Sequence, residues 1–502
     1  KWKRNGPMDA ACLASSRLTP RLRVDRVADG AATEGLHEKR AAAQAAKSSR
    51  GSTVSLFGCS PTVPLLSAPL LLGYNSRKPS LHLTTTPTPP MRLLFIHERF
   101  GAYGGAEANV LLTATELRRR GHPVAILHGA PTGRDLETWN DIFAERYAIP
   151  PVRAAVALQQ ALTDFRPNVI FLHKHADLAL LESVAECGVP AVRMVHDHDL
   201  YCLRGYKYNP LTRQICTRAA SPYCVFPCGG TVARNRSGGF PFKWLSYGEK
   251  QRELALNRRF HRLIAATEFM RDELVRNGFR SEQIEILAPV PRSSDESFQC
   301  TFGQRNRLVY AGQIIRGKGV DVLLESLAQV AGRFECVILG DGNHRAHCER
   351  LSARLGLADR VHFAGFVSQE KIAGYYRDAS VAVMSSVWPE PFGATGLEAM
   401  RCGLPVVAFD AGGIREWLID GWNGFLVPWM DRARYAASIE ELLQNKSRAR
   451  TLGANGRHWV GEQFGFPKYL SGLEDLFHRV GQSPAVAGER SLVPPTQAAV
   501  RP

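Results

Sequence analysis

No apolar stretch of this 502-residue sequence is long enough to cross a membrane. The longest, Val63 to Gly73, is broken by Pro64 and Pro69, whereas a spanning helix needs about 20 apolar residues. Acidic residues are in deficit, with 47 Asp+Glu against 63 Lys+Arg and a formal net charge of +16. A G-x-G-x-x-G fingerprint is also missing after the first strand, which disfavours a nicotinamide cofactor. What remains is ordinary: 45% apolar and 22% charged residues exclude a mainly disordered, collagenous or small disulfide-knit chain. At roughly 150 residues per domain the length predicts two to four domains. The charge excess invites nucleic-acid or membrane-surface binding, so where it lies matters.

Residues 1–90 hold 13 Lys+Arg and 5 Asp+Glu, half of the excess, and are Ala/Ser/Arg-rich and then Pro/Thr/Ser-rich without a helical or strand period. This composition predicts disorder. The text changes at Met91, where a buried strand begins, so 1–90 is expected to be a leader outside the natural protein. A targeting peptide is the rival, but no amphipathic helix or cleavage site supports it. Leu56-Phe57-Gly58-Cys59 looks like a lipoprotein cleavage box but lies too deep in the chain.

From Met91 onward short Val/Ile/Leu runs alternate with helical patterns, which predicts an α/β fold with parallel sheets. Strands are expected at 92–97, 123–127, 169–173, 191–196 and 262–266, then at 307–311, 335–339, 360–363, 381–384 and 405–408. A polar segment at 291–301 reads as a linker. Two Rossmann-like domains follow, 91–290 and 302–480, with a disordered tail at 481–502. Ligands in such sheets bind beyond the carboxyl ends of the strands, so the cleft between the domains is the expected site.

Two glycine-rich loops suit phosphate. The first, Gly104-Gly105-Ala106-Glu107, opens a helix whose free N–H groups could meet a ligand. The second runs from Gly312 to Gly319 and is one residue short of a phosphate-loop motif, because Gly319 stands where the magnesium-binding hydroxyl should be. Lys318 without a metal partner suggests a diphosphate stabilised by protein cations. A phosphate-loop nucleotide hydrolase is the weaker alternative.

The most informative stretch is Trp388-Pro389-Glu390-Pro391-Phe392-Gly393, with Glu398 eight residues beyond Glu390. Prolines stiffen the loop around Glu390, which is expected at the cleft mouth, while Glu398 lies one to two turns inside a helix. Two neighbouring carboxylates could also suggest hydrolase acid/base chemistry. Their spacing, with Gly403-Leu404-Pro405 and Ala411-Gly412-Gly413-Ile414-Arg415-Glu416, closely resembles glycosyltransferase family 4. The resemblance covers 91–480 and includes Leu339-Gly340-Asp341-Gly342, Phe363-Ala364-Gly365-Phe366-Val367 and Gly421-Trp422-Asn423-Gly424.

The resemblance implies the two-domain GT-B fold and retaining transfer of a sugar from a nucleotide-sugar to a glycan or lipid-linked acceptor, without a required cofactor. By motif, Glu398 would hold the ribose, Glu390 with the Phe392 and Gly393 amides the donor sugar, and Lys318 the departing diphosphate. Gly340, Asp341, Gly342 and Val367 would border the nucleotide, and His196 would lie near the transferred sugar. Gly104, Gly105 and Glu107 form the loop on the acceptor side, and the last helix is expected to pack back on the first domain. In one departure, Gln313 follows Gly312 where the family has Arg, and a neutral amide cannot replace a guanidinium at a diphosphate. Arg316 is expected to supply that charge; otherwise the chain would be a silent scaffold binding an anionic partner.

Residues 201–262 carry 12 Lys+Arg and 2 Asp+Glu, so the rest of 91–502 is nearly neutral. Cys202, Cys216, Cys224 and Cys228 lie in this insert at spacings that match no two-CxxC zinc ribbon, leaving a structural thiolate-zinc site, reduced cysteines or a redox pair open. Tyr206, Tyr208, Phe240, Phe242, Trp244 and Tyr247 interleave with the cations. That mixture suits an anionic membrane surface or a lipid-diphosphate acceptor, and less well single-stranded nucleic acid. The expected location is cytoplasmic, peripheral on the membrane face, with no nucleic-acid partner.

Overall fold

The computed structural model describes residues 89–482 apart from 151–152, 210, 235–239, 291–299 and 301–305. The leader at 1–90, the linker at 291–301 and the tail at 481–502 therefore fall outside the described residues, save for 89–90, Cys300 and 481–482.

Two parallel sheets organise the described chain. The first has seven strands, in the spatial order Glu145–Ala148, Val124–Pro131, Leu93–Phe100, Val169–Leu172, Ala191–Met194, Arg262–Ala265 and Ile284–Ile286. The second has six: Val361–Gly365, Glu335–Leu339, Arg307–Ala311, Val381–Met384, Val406–Phe409 and Gly424–Val427. The continuous apolar strands Val169–Leu172 and Val381–Met384 are buried at every residue because helices cover both faces of the sheets. All ten expected strands are present. Edge strands Glu145–Ala148, Ile284–Ile286 and Gly424–Val427 escape a hydrophobicity reading because they are short, and the first is largely exposed.

In each sheet the strand order reverses once, between Leu93–Phe100 and Val169–Leu172 and between Arg307–Ala311 and Val381–Met384. Loops leaving such neighbours diverge and open a crevice. The last helix, Phe466–Gly481, buries Tyr469, Leu473 and Phe477 in one cluster with Leu93, Phe95 and Phe171 of the first sheet. Tyr469 also meets Asn109 at 3.3 Å, so this helix closes over the first domain's core.

Candidate active site

The crevice of the second sheet brings together two loops that are far apart in sequence. One follows Arg307–Ala311 and carries Lys318; the other follows Val381–Met384 and carries Glu390. Lys318 Nζ lies 2.7 Å from Glu390 Oε1, which also accepts from the Trp388 indole N–H at 3.0 Å and from the Ser386 hydroxyl. Glu390 is 3% exposed, so it is an interior group and not the cleft-mouth carboxylate expected from sequence. The loop turns inward because Glu390 pairs with Gly412 as a short bridge, donating its N–H to Ala411 at 3.0 Å and accepting from Gly413 at 2.8 Å. Burial opposes the Glu390 charge, but the Lys318 ammonium and the two neutral donors outweigh it and hold the carboxyl below its ordinary range.

A cavity of about 780 Å³ adjoins this pair. Gln313, Ile315, Arg316 and Gly317 line it from one loop, Asp341, Gly342 and Asn343 from the next, and Trp388 from the Glu390 loop. Its remaining wall is Tyr206 and Tyr208 of the cysteine-rich insert, which reaches across from the first domain. Tyr208 packs so closely over Gly317 that a Cβ there would lie 3.3 Å from its ring and from Trp388. Arg213 anchors the insert by pairing with buried Asp321 on the second domain, and Lys207 ties its root to Glu273 at 2.7 Å. The two glycine turns are likewise enforced by contact. A Cβ on Gly340 would stand 1.9 Å from the Gly312 carbonyl oxygen, and one on Gly342 would stand 2.3 Å from that of Ile314.

Arg316 and Gln313 are both exposed in the cavity, and the Gln313 carbonyl accepts from the Tyr310 hydroxyl at 3.1 Å. Asp341 is exposed and caps its own turn through Gly342 N–H at 2.7 Å. Val367 is half-buried against the core and does not line this cavity. Glu398 is half-buried on helix Ala394–Arg401, whose N-cap is Gly393 in a left-handed conformation. The Trp417 indole holds the preceding Phe392 carbonyl at 2.6 Å, fixing where that helix starts.

His196 lies elsewhere, at the first sheet's crevice, beside a small pocket of about 80 Å³ lined with His173, Lys174, Asp197 and Asp199. His173 Nδ1 and His196 Nε2 are 2.9 Å apart, so one ring donates to the other. Loss of water around His196, opposed by Asp197, carries its pKa down to about 3, and His196 acts as a neutral imidazole at pH 7. His198 links the two crevices: its Nε2 donates to the Pro389 carbonyl at 2.7 Å while Nδ1 accepts from Tyr201 at 2.8 Å. Sequence reasoning missed Ser386, Trp388, His173 and His198. Strand-end position could have flagged His173, and adjacency to Glu390 could have flagged Trp388.

Gly104 and Gly105 are exposed, but Glu107 points inward, accepting Gly104 N–H at 2.9 Å and Arg99 at 3.1 Å. Its carboxylate is spent on capping its own helix. Cys202, Cys216, Cys224 and Cys228 are half-buried thiols. Burial first, then the three neighbouring thiols, raise the pKa of Cys224, so the four are close. Among the described residues, however, the metal-ligand group picked out by ligand-atom distances does not include them. The group whose ligand atoms lie within 4.8 Å of one another is Asp321, His344 and His347, and Arg213 already engages Asp321.

Residues 294–459 match the family model described as Glycosyl transferases group 1, and residues 103–289 match Glycosyltransferase Family 4. A D-inositol 3-phosphate glycosyltransferase of Streptomyces bingchenggensis (strain BCW-1) is 34% identical over 241 residues, 43% of this chain and 52% of its own. A GDP-mannose-dependent alpha-(1-6)-phosphatidylinositol monomannoside mannosyltransferase of Mycolicibacterium smegmatis is 30% identical over 167 residues, 32% of this chain and 44% of its own. The chain thus spans about half the length of the curated relatives it matches. Among solved structures, Anabaena HepE in complex with UDP and glucose superposes with a TM-score of 0.58 at 20% identity, covering 77% of this chain and 99% of that one. WaaG, a glycosyltransferase involved in lipopolysaccharide biosynthesis, does so with 0.55 at 17% identity, covering 77% and 99%. At these identities the structural likeness speaks for the fold.

Proposed function

We propose, for a chain that belongs to glycosyltransferase family 4 and has its two-domain GT-B architecture, the transfer of a sugar from a nucleoside-diphosphate-sugar to a glycan or lipid-linked acceptor, with retention of anomeric configuration. The observation that carries this reading is the Lys318–Glu390 pair beside a cavity containing exposed Arg316. An ammonium has three donors, and Glu390 takes one of them, so two remain for diphosphate oxygens. Arg316 adds a guanidinium from the same loop, which supports its role in place of the Arg that Gln313 lacks. Relatives named for inositol phosphate and phosphatidylinositol mannoside acceptors favour an acceptor hydroxyl on a polar, phosphate-bearing group.

No covalent nucleophile is assigned. The leaving diphosphate takes the acceptor proton on the face from which it departs, and Lys318, Arg316 and the helix start at Gly393 stabilise its growing charge. Neutral His196 offers the sugar a hydrogen bond, not a charge. Glu398 meets the ribose and the Gly340–Gly342 turn borders the nucleotide.

Purified protein screened against nucleotide-sugars without acceptor is expected to hydrolyse one of them slowly, and to do so equally well with chelator present. No hydrolysis of any donor would favour the silent-scaffold reading, and loss of activity with chelator would refute metal-free charge stabilisation. Arg316→Ala is expected to lower kcat by about 10²-fold, with a much smaller change in donor affinity. Unchanged kinetics would remove Arg316 from the site.

A further inference from the structure

The cysteine-rich insert contains an element that sugar transfer does not use. Val232–Arg234 and Phe242–Trp244 pair antiparallel as a hairpin separate from both main sheets. Val232 stands opposite Trp244, and strand alternation puts Val232, Phe242 and Trp244 on one face with Lys243 on the other. That face is open to water: Trp244 is 80% exposed and Phe242 54%, and the ring of Phe240, 73% exposed, meets that of Phe242 at 6.2 Å. A two-stranded ribbon is marginal in water unless a face packs against something. Contiguous exposed aromatics of this size ordinarily mark a contact surface.

Charge identifies the occupant. Residues 201–262 carry a net +10. Lys207, Arg213 and Lys250 are paired with Glu273, Asp321 and Glu253, but Lys243, Arg218 and Arg252 are exposed. Trp and Phe flanked by Lys and Arg match the boundary between acidic headgroups and acyl chains. None of the described helices is long and apolar enough to cross a membrane.

We propose that the ribbon formed by Val232–Arg234 and Phe242–Trp244 is a membrane-interface anchor, seating Phe242 and Trp244 among the lipids of an anionic bilayer while the insert's exposed cations meet phosphate groups. The same insert places Tyr206 and Tyr208 in the large cavity, so the anchor would hold that cavity close to lipid headgroups. This inference is independent of the transferase reading, since vesicle binding is measured without substrate.

The test is sedimentation of the full chain with phosphatidylcholine vesicles and with vesicles also containing phosphatidylglycerol. Wild type is expected to sediment with the phosphatidylglycerol vesicles, to be released by salt and to show blue-shifted tryptophan emission. Phe242→Ser/Trp244→Ser should weaken binding by about tenfold or more at unchanged thermal midpoint and nucleotide-sugar hydrolysis, while Trp244→Phe retains it. Wild type remaining in the supernatant, or the double variant sedimenting as wild type does, would overturn the proposal. So would a wild-type dimer or oligonucleotide complex that the double variant abolishes without any vesicle binding; these outcomes assign the face to a second copy or to nucleic acid.

Discussion

Replacing Lys318 with Met is expected to lower turnover by about 10²- to 10³-fold, the usual consequence of removing one preorganised charge from a site of developing negative charge. A second consequence follows from where its partner lies. Glu390 is almost fully buried, and its carboxylate keeps its charge there because Lys318 stands 2.7 Å away. Taking away one member of a buried ion pair costs about 3 kcal/mol or more, so the unfolding free energy should fall as well. The paired variant Lys318→Met/Glu390→Gln separates the two effects: it should recover much of the stability, since no unpaired charge remains, and none of the turnover. Lys318→Arg should rescue poorly, because a planar guanidinium cannot occupy the place of a compact ammonium. Wild-type turnover in Lys318→Met would sink the assignment.

Gly319→Ser completes the letters of a phosphate-loop motif and is expected to damage the protein instead of creating a nucleotide hydrolase. Gly319 sits at φ +66°, and a Cβ there would lie 2.0 Å from the Ser385 carbonyl oxygen and 3.0 Å from Val387 Cγ1. The Ser385 segment cannot retreat cheaply, because its hydroxyl holds the Lys318 carbonyl at 3.0 Å and Val387 N–H bonds to Gly317 at 2.9 Å. Overpacking combined with backbone strain at a left-handed residue should cost about 3 kcal/mol. Denaturant unfolding measures that loss, and a magnesium-dependent nucleotide hydrolase activity gained by the variant would overturn the reading of this loop. The glycine is therefore required by the neighbouring strand's loop, and its lack of a metal-binding hydroxyl follows from packing.

Both results turn on contacts between segments about 70 residues apart in sequence. Apolar runs such as Val169–Leu172 and Val381–Met384 are legible as buried strands because covering helices demand apolar side chains on both faces. Strands at the sheet edges, such as Glu145–Ala148, carry no such demand and no such signal. The loops around Lys318 and Glu390 could be picked out by residue type and spacing, but spacing could not show that the two side chains bond to each other. Nor could it show that Glu107 turns inward to cap its helix. The insert was legible as a basic, aromatic segment; that Tyr206 and Tyr208 wall the cavity while Phe242 and Trp244 face outward depends on a hairpin and on the Arg213–Asp321 contact.

By itself the sequence determined the α/β class, the family resemblance and the chemical identity of the charged groups, since these rest on periodicity and on motifs within single loops. Tertiary structure alone decided which carboxylate is buried, which cation remains open to a ligand and which domain supplies the cavity's aromatic wall. Burial and partner choice arise where strand order reverses and distant loops converge, and no local pattern encodes that convergence.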